Sequence, residues 1–175
     1  MKFEIYDFDT NSNISDEALR KLLNASFPGF FEKHIFFKQE PHSRLVACVG
    51  NELLGHVGIE KRVFSVSDQV IRVVGLIDLC VAEKYRSQGI GTALIRAAES
   101  KFSDREFSVL MADNPKLYRR LNYIQLSPAP SRWFAIDELK SHSIIERDLS
   151  DCFMYKQLSA RKWPDGKIDL LGYLF

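Results

Sequence analysis

The sequence predicts a mixed α/β fold, in which helices cover the faces of a β-sheet. Two observations support this prediction. Strand-like segments fill most of residues 43–82, and helical and strand-like patterns alternate over residues 90–126. The chain has 175 residues, which is long enough to bury a substantial core. We therefore expect one domain over residues 1–175, with C-terminal strands at about residues 150–175.

The first two elements are a strand and a helix. Residues 1–8 alternate between apolar and charged side chains, which is typical of a strand. Ser15 then precedes a helical pattern that places Leu19, Leu22 and Leu23 on one face. The aromatic segment that follows predicts a second short helix ending before Pro41, because proline disfavours a helical conformation in the residue before it.

A meander of three strands comes next. Two β-rich runs flank the turn Gly50-Asn51, which predicts a hairpin. A second turn at Ser67-Asp68 leads into residues 70–82, which are apolar enough for a central position in the sheet.

The next segments alternate between helix and strand. Residues 90–102 present an apolar face, and residues 106–112 predict a strand. Asn114-Pro115 is a favourable helix start, with Asn as N-cap and Pro at the first helical position. A strand over residues 123–126 follows the short helix.

The end of the chain is less regular. Residues 127–143 predict a loop or lid with at most one helical turn. Residues 151–158 and 167–175 predict two last strands on either side of the turn at residues 164–166.

The composition argues against several classes of protein. The formal net charge is +1, from 24 basic and 23 acidic residues, whereas nucleic-acid-binding proteins usually carry a basic excess. We expect neither a nucleic-acid nor a membrane partner, because apolar runs fall short of a membrane helix and no signal peptide is recognisable. The histidines show no metal-ligand spacing, so no metal is expected.

The cysteines indicate the compartment. Cys48, Cys80 and Cys152 are widely spaced, and the first two lie in apolar strand-like runs. They are expected to be free thiols in a reducing, cytoplasmic environment, with the first two buried.

Two glycines stand at the start of the helix predicted over residues 90–102. The preceding loop reads Arg86-Ser87-Gln88-Gly89-Ile90-Gly91. Open backbone N–H groups at a helix N-terminus, together with Arg and Gln donors, can hold a pyrophosphate. The alternative is that the glycines only turn the chain. A Walker A loop is excluded because Gly-Lys-Ser/Thr is absent, and a dinucleotide fingerprint fits poorly because Leu94 occupies its third glycine position.

The loop and the next segment together resemble the GNAT superfamily of N-acyltransferases. The sequence "RSQGIG" is similar to that family's Arg/Gln-x-x-Gly-x-Gly/Ala motif for acyl-CoA, and "LMADNPKLYRRLNYIQL" is similar to its strand, Asn and short helix with Tyr. "LVACVGNELLGHVGI" resembles its central hairpin. Asn122-Tyr123 replaces the usual Gly-Phe. The resemblance covers about residues 1–126 and implies a mostly antiparallel sheet, splayed at its middle, with a CoA-binding core at about residues 70–126.

A weaker similarity reaches two subfamilies. "GHVGIEKRVFSV" and the ending "KWPDGKIDLLGYLF" look like aminoglycoside 2′-N-acetyltransferases, and the first of these segments also looks like nodulation N-acyltransferases.

The family resemblance implies acetyl-CoA as co-substrate and a set of site residues. Those expected to bind CoA are Leu79, Val81, Arg86, Ser87, Gln88, Gly89, Ile90, Gly91, Thr92 and Asn114. Asn114 is either a helix cap alone or a cap near the CoA arm.

Two residues are implied as catalytic. Tyr118 would act as the general acid for the leaving thiolate, against the alternative of a packing tyrosine. Asp78, in an otherwise apolar run, is the candidate base for the amine, against the alternative of a carboxylate on the solvated or loop-covered face that pairs with a nearby Arg. A structural role is preferred for His56, and ordinary packing for Trp133 and Phe134.

The resemblance therefore implies an acetyl-CoA-dependent N-acetyltransferase. The expected acceptor is a small-molecule amine such as an aminoglycoside or polyamine, and a homodimer is possible. The alternatives are a protein N-acetyltransferase, a non-catalytic module that binds or senses CoA, and a plain α/β domain whose sheet edges mediate assembly.

Overall fold

The computed structural model describes residues 2–10 and 14–175. The described helices are α1 (Asp16–Ser26), α2 (Ile90–Lys101) and α3 (Lys116–Arg119), with one 3-10 turn at Glu83–Tyr85. The described strands are β1 (Glu4–Asp7), β2 (Ser43–Val49), β3 (Glu52–Val66), β4 (Gln69–Val81), β5 (Phe107–Met111), β6 (Ile124–Gln125), β7 (Pro130–Asp137), β8 (Lys140–Asp148), β9 (Phe153–Gln157) and β10 (Ile168–Tyr173).

The chain forms two compact units. Unit 1 comprises Met1–Glu60 and Leu76–Lys101, and unit 2 comprises Lys61–Gly75 and Phe102–Phe175. The long strands β3 and β4 each contribute residues to both units.

Unit 1 is a small antiparallel sheet with a helix on each face. β2 pairs with β1 on one side and with β3 on the other. Val46 of β2 packs in an apolar cluster with Leu23 of α1. Gly55 of β3, which pairs with the residue after Val46, lies instead against Ile90 and Leu94 of α2. Because neighbouring residues of a strand point to opposite faces, α1 and α2 lie on opposite faces of this sheet.

The first helix begins as its sequence predicts. The Ser15 hydroxyl accepts a hydrogen bond from the backbone N–H of Ala18 at 3.2 Å, and Leu19, Leu22 and Leu23 are buried. A side-chain oxygen at this position pairs one of the N–H groups that the first helical turn leaves without a partner.

The second helix predicted before Pro41 is wrong. Residues 27–42 form turns and bends, and Gly29 has φ +87°, in the left-handed region that a helix cannot include. Phe31 is nevertheless buried in the same cluster as α1. The aromatic side chains of this segment therefore anchor a loop by burial, without helical periodicity.

Unit 2 is built on a sheet in the order β6-β9-β5-β4-β3-β10-β7-β8, to which β3 and β4 contribute their unit 2 residues. The β4–β5 and β10–β7 pairs are parallel, whereas the other registers determined in this unit are antiparallel. The buried core residues are Phe64, Val66, Ile71, Val73, Phe107, Val109, Ala129, Trp133, Leu149, Phe153, Ile168 and Leu170. Trp133 thus packs in the core, as expected.

The loop or lid predicted for residues 127–143 is wrong. Most of this segment belongs to a β-hairpin of β7 and β8. Glu138 and Leu139, both with positive φ (46° and 60°), make its turn. Hairpins with a two-residue turn favour positive φ at both turn residues, but such turns are usually recognised in sequence by Asn-Gly or Asp-Gly. Because neither residue is glycine or asparagine, the turn carries no recognisable signal.

The predicted fold class is confirmed. The structure is a mixed α/β fold with a mostly antiparallel sheet, and the strand predictions for residues 43–82, 106–112, 151–158 and 167–175 hold with small shifts at their ends. None of the helices described in residues 2–10 and 14–175 is long and apolar enough to cross a membrane.

Candidate active site

The start of α2 presents open backbone donors. The Gly89 carbonyl accepts the N–H of Ala93 at 3.0 Å, which places Gly89 at the N-cap position, where it has no side chain to cover the first-turn amides. Its φ is +82°, and a Cβ built there would have no atom within 4 Å. The first turn of α2 contains no acidic residue. This helix end therefore has the features of an anion site.

The loop before α2 is tied to the end of β4. Arg86 Nε donates to the Val81 carbonyl at 3.2 Å, and Gln88 Nε2 donates to the Lys84 carbonyl at 3.4 Å. Ser87 has φ +61°. Arg86, Ser87 and Gln88 are all exposed, so their remaining donors face solvent near the start of α2.

A close helix–strand contact fixes where α2 begins. A Cβ at Gly55 would lie 2.9 Å from the Cys80 carbonyl oxygen and 3.2 Å from side-chain atoms of Ile90 and Leu94. Only glycine leaves room for α2 at this distance from β3. This role of Gly55 was not apparent in sequence, because a single glycine in a strand has several explanations.

Asp78 interrupts β4 with an unusual backbone. Its φ is +51°, in the left-handed region that non-glycine residues seldom adopt. The carboxyl group is largely buried, and this burial, reinforced by the carboxylate of Glu60, raises the pKa of Asp78 to about 6. The charges of Arg44 and Lys38 oppose the shift. A carboxylate with such a pKa is deprotonated at neutral pH and is a much better proton acceptor than an ordinary aspartate.

Two further charged residues lie on the sheet surface in unit 1. Arg44 pairs with Gly58 across β2 and β3, and Glu60 is two residues further along β3, so both side chains leave the same face of the sheet. Arg44 is 4% exposed and Glu60 is 1% exposed. Burying two charges is expensive unless they serve a specific arrangement.

Lys38 adds a cation from the loop of residues 27–42. Burial lowers the pKa of Lys38, while the nearby carboxylates of Asp78 and Glu60 raise it. Asp78 is thus surrounded by one carboxylate and two cations from a loop and two strands. Sequence reasoning missed Lys38, Arg44 and Glu60, because alternation with apolar neighbours marks β2 and β3 but does not show that charged side chains face the interior.

His56 connects β3 to the backbone of Asp78. Its Nδ1 lies 3.1 Å from the Asp78 carbonyl oxygen. Burial lowers the pKa of His56 to about 4, so the ring is neutral at pH 7 and Nδ1 is the donor. Its Nε2 is buried and has no hydrogen-bond partner within the described ranges. His56 therefore has the structural role that was expected. It donates a hydrogen bond to the backbone carbonyl of Asp78, the residue whose φ is positive.

Tyr118 and Asn114 belong to unit 2. Asn114 Oδ1 accepts the backbone N–H of Lys116 at 3.2 Å, but the N-cap residue of α3 is Pro115, not Asn114, and the helix begins at Lys116, one residue later than predicted. Tyr118 stacks edge-on against Tyr123, with ring centroids 5.9 Å apart, and burial raises the pKa of Tyr118 above its usual value of 10. Its hydroxyl therefore stays protonated at neutral pH.

The substitution of Asn122-Tyr123 for Gly-Phe is accommodated locally. Asn122 has φ +66°, a conformation that asparagine tolerates better than most residues. The buried Tyr123 hydroxyl lies 2.6 Å from the hydroxyl of Ser108. The extra polar atom of tyrosine thus has a partner.

The predicted site residues divide between the two units. Unit 1 holds the candidate base and most of the CoA set: Asp78, Leu79, Val81, Arg86, Ser87, Gln88, Gly89, Ile90, Gly91 and Thr92. Unit 2 holds Asn114 and Tyr118.

The cysteines and potential metal ligands add no further chemistry. Cys48 and Cys80 are buried free thiols, as predicted, and burial raises the pKa of Cys80 to about 12. Within residues 2–10 and 14–175, no group of three His, Cys, Asp or Glu side chains is placed to hold a metal ion.

Comparison with known proteins identifies many relatives in structure. The sequence model described as the acetyltransferase (GNAT) family matches residues 11–123. A GNAT family N-acetyltransferase (YhbS) from Escherichia coli, solved with CoA, has a TM-score of 0.67 at 18% identity over 97% of this chain and 90% of its own. A GNAT family acetyltransferase from Brucella melitensis, solved with acetyl-CoA, has a TM-score of 0.59 at 17% identity over 95% and 94% of the two chains.

A third structure is somewhat more similar in sequence. A protein described as a putative acetyl transferase from Pyrococcus furiosus is 26% identical, with a TM-score of 0.55 over 72% of this chain and 95% of its own. No curated protein matches the sequence.

Proposed function

Because this chain belongs to the GNAT acetyltransferase family, we propose that it transfers the acetyl group of acetyl-CoA to a primary amine by direct attack of the amine. The acceptor we propose is a small-molecule amine such as an aminoglycoside or a polyamine. The observation that carries the proposal lies in unit 1. β4, which bears the buried carboxyl of Asp78, leads through the 3-10 turn and loop to the open N-terminus of α2.

The residues at the start of α2 fit a CoA pyrophosphate. The glycine at the N-cap leaves the first-turn amides uncovered, and the space that its Cβ would occupy is open. Exposed Arg86 and Gln88 supply further donors, and no acidic side chain in the first turn repels an anion. The backbone of Leu79 and Val81 is proposed to bind the pantetheine arm, and Asn114 is proposed as a further CoA-binding residue. Bound acetyl-CoA supplies an activated thioester carbonyl.

Asp78 acts as the base in this proposal. Its pKa of about 6 lets it accept the proton that a protonated amine must lose before attack. The carboxylates of Asp78 and Glu60 favour a cationic acceptor, which agrees with a polyamine or an aminoglycoside. The positive charges of Lys38 and Arg44 partly cancel those of the two carboxylates and so weaken the attraction for a cationic acceptor.

Tyr118 acts as the acid. A phenol whose pKa lies above 10 keeps its proton at neutral pH and can give it to the leaving sulfur. A protonated amine loses two protons on becoming an amide: Asp78 takes the first before attack, and the attacking nitrogen loses the second when the tetrahedral intermediate collapses. Tyr118 gives one proton to the leaving sulfur and regains one from solvent, so each turnover releases one proton in total.

Calorimetric titration with acetyl-CoA is the first test. We expect binding of acetyl-CoA, no comparable binding of ATP or NADH, and loss of acetyl-CoA binding in Gly91→Glu, which adds a carboxylate to the first turn of α2. A matched control is Arg96→Glu, on an exposed position further along the same helix, which should bind normally. Absence of acetyl-CoA binding by the wild-type protein would refute the proposal.

A thiol-release assay over a panel of amines tests the acceptor. Release of CoA that depends on an added aminoglycoside or polyamine supports the small-molecule proposal. Release that depends only on a peptide or protein amine would move the assignment to a protein N-acetyltransferase. Acetyl-CoA binding without release for any amine would favour a non-catalytic CoA-binding module.

A further inference from the structure

The buried hydroxyl of Tyr123 connects the segment after α3 to the sheet of unit 2. Its oxygen lies 2.6 Å from Oγ of Ser108, and the two residues are 3% and 0% exposed. Either hydroxyl can donate this hydrogen bond, whose length is at the short end of the usual O–H···O range. The bond is strengthened by its surroundings, because the local dielectric constant is low and water does not compete for either oxygen.

Ser108 is a rigid point of attachment. It belongs to β5, where it pairs with Val74 of β4 on one side and with Lys156 of β9 on the other. The residues before and after it in β5 are fully buried in the core of unit 2. A residue between two strands in a close-packed core cannot shift without disturbing its neighbours. The Tyr123 ring is therefore fixed at its hydroxyl end.

Tyr123 contacts Tyr118 in two ways. The backbone N–H of Tyr123 donates to the Tyr118 carbonyl at 3.1 Å. The two rings pack edge-on, with centroids 5.9 Å apart. Tyr118 itself is carried by α3, a single helical turn of four residues. Because a helix this short is not stable by itself, contacts with other segments decide where its side chains lie.

A further contact restrains the Tyr123 ring. Lys156 Nζ lies 5.7 Å from the ring centroid, within the range of a cation–π interaction. Since Lys156 pairs with Ser108 across β9 and β5, both contacts of Tyr123 originate from the same place in the sheet. A ring held at its hydroxyl and beside a cation presents a fixed edge or face to Tyr118.

We infer that Tyr123 is a positioning residue for Tyr118, and that its hydroxyl performs this role through the hydrogen bond with Ser108. The inference rests on the proposed function, in which Tyr118 gives a proton to the leaving sulfur. A general acid must lie within hydrogen-bond reach of the atom that it protonates, and a displacement of about 1 Å can lower the rate by about 100-fold. A phenylalanine could make the ring contact with Tyr118, but it could not bond to Ser108.

The test compares three variants of the full chain: Tyr123→Phe, Ser108→Ala and the two combined. Each single variant leaves one buried hydroxyl without this partner, so both should melt about 5 °C below wild type. The combined variant leaves neither hydroxyl and should regain most of the melting temperature. Its kcat should nevertheless stay about 10-fold below wild type, as in each single variant, because the hydrogen bond is absent from all three. The KM for acetyl-CoA should stay within a factor of two of wild type.

A double-mutant cycle with Tyr118 separates placement of the acid from a general effect on the fold. Tyr118→Phe has no phenolic proton to place, so adding Tyr123→Phe to it should change kcat by less than about a factor of two. Steady-state kinetics measure these values with acetyl-CoA and the aminoglycoside or polyamine that gives the fastest release of CoA. Tyr155→Phe is the control, since it removes a hydroxyl from another partly buried tyrosine of unit 2 and should keep the wild-type kcat.

Three results would overturn the inference. The first is a wild-type kcat in Tyr123→Phe. The second is recovery of kcat together with the melting temperature in the combined variant, and the third is a further loss of about 10-fold when Tyr123→Phe is added to Tyr118→Phe. Either of these last two would show that the hydroxyl serves only the stability of the fold.

Failure of the proposed function looks different. A wild-type protein that releases no CoA with any amine would refute the proposed function, and the inference would fall with it. If the inference alone is wrong, the wild-type protein turns over and Tyr118→Phe is impaired, but the variants of Tyr123 and Ser108 do not follow the expected pattern.

Discussion

The imidazole Nδ1 of His56 lies 3.1 Å from the carbonyl oxygen of Asp78, and this hydrogen bond links β3 to the one strained residue of β4. The φ of +51° at Asp78 costs free energy that surrounding contacts must offset. His56 is neutral and buried, so it can donate this bond throughout the physiological pH range. The position of the proposed base thus depends on a histidine that need not touch the substrate.

Replacement of His56 should show this positioning role. In His56→Leu the Asp78 carbonyl loses its donor, and we expect kcat to fall by about 10-fold and the free energy of unfolding to fall by about 1–3 kcal/mol. His56→Asn retains a side-chain N–H donor close to the position of the His56 Nδ1. It should therefore recover part of the lost kcat and part of the lost free energy of unfolding. Steady-state kinetics and urea unfolding measure these quantities. Equal loss of kcat in both variants would contradict a role that depends on the donated hydrogen bond.

Asp78→Asn should separate activity from stability. Loss of the base should lower kcat/KM by roughly 100- to 10,000-fold. The raised pKa means that the folded state binds a proton more tightly than the unfolded state does. The carboxyl group therefore lowers the stability of the folded protein progressively as the pH rises from its ordinary pKa near 4 to about 6, and the loss is complete above that pH. We expect the variant to be more stable than wild type at pH 8, by about 2 kcal/mol, and this gain to disappear below pH 4.

The pH dependence of the wild-type enzyme follows from the same group. The acidic limb of kcat/KM should have a midpoint near pH 6, because protonated Asp78 cannot accept the proton of the amine. In Asp78→Asn the residual activity should lack this limb. A wild-type profile without a midpoint between pH 5 and pH 7 would remove Asp78 from the role of base.

Tyr118→Phe tests the proposed acid. The hydroxyl is removed while the edge-on ring contact with Tyr123 is kept, so the fold should be unchanged. We expect kcat to fall by about 100-fold and calorimetric affinity for acetyl-CoA to stay within a factor of two of wild type. Tyr155→Phe, at another partly buried tyrosine of unit 2, serves as control. An unchanged kcat in Tyr118→Phe would make Tyr118 a packing residue.

Gly55→Ala should displace the start of α2. The added methyl group would lie 2.9 Å from the Cys80 carbonyl oxygen, and backbone cannot yield as a flexible side chain does. We expect a loss of about 1–3 kcal/mol in stability and at least 10-fold weaker acetyl-CoA binding. Gly50→Ala is the comparison, since a Cβ there has no atom within 4 Å. Gly50→Ala should lose stability only because alanine disfavours the positive φ of 55° at this position, and it should bind acetyl-CoA normally.

Asn122 tests the explanation for the departure from Gly-Phe. Because its φ is +66°, Asn122→Gly should be neutral or slightly stabilising, whereas Asn122→Ala should cost about 1 kcal/mol. Thermal unfolding of the two variants side by side measures the difference. Equal melting temperatures would show that the left-handed conformation is not what this position requires.

Local patterns in the sequence determined much of this protein. Ser15 with its leucines, the alternation in residues 43–82, and the apolar face of α2 each predicted their element, because capping, strand periodicity and helical periodicity depend on near neighbours. The loop of Arg86 to Gly91 was recognisable for the same reason, since its function needs consecutive residues. The family and the fold class followed from these short segments and their order.

Tertiary structure decided what distant residues do to one another. Residues 27–42 carry apolar aromatic side chains but bury them from a loop, and the hairpin of β7 and β8 closes on a turn without glycine. The surroundings of Asp78 come from β2, β3 and a loop. No spacing in sequence shows that the charges of Arg44 and Glu60 act on its carboxyl group or that His56 bonds to its carbonyl. Burial and proximity set the pKa of a carboxyl group, and both arise only when separate segments pack together.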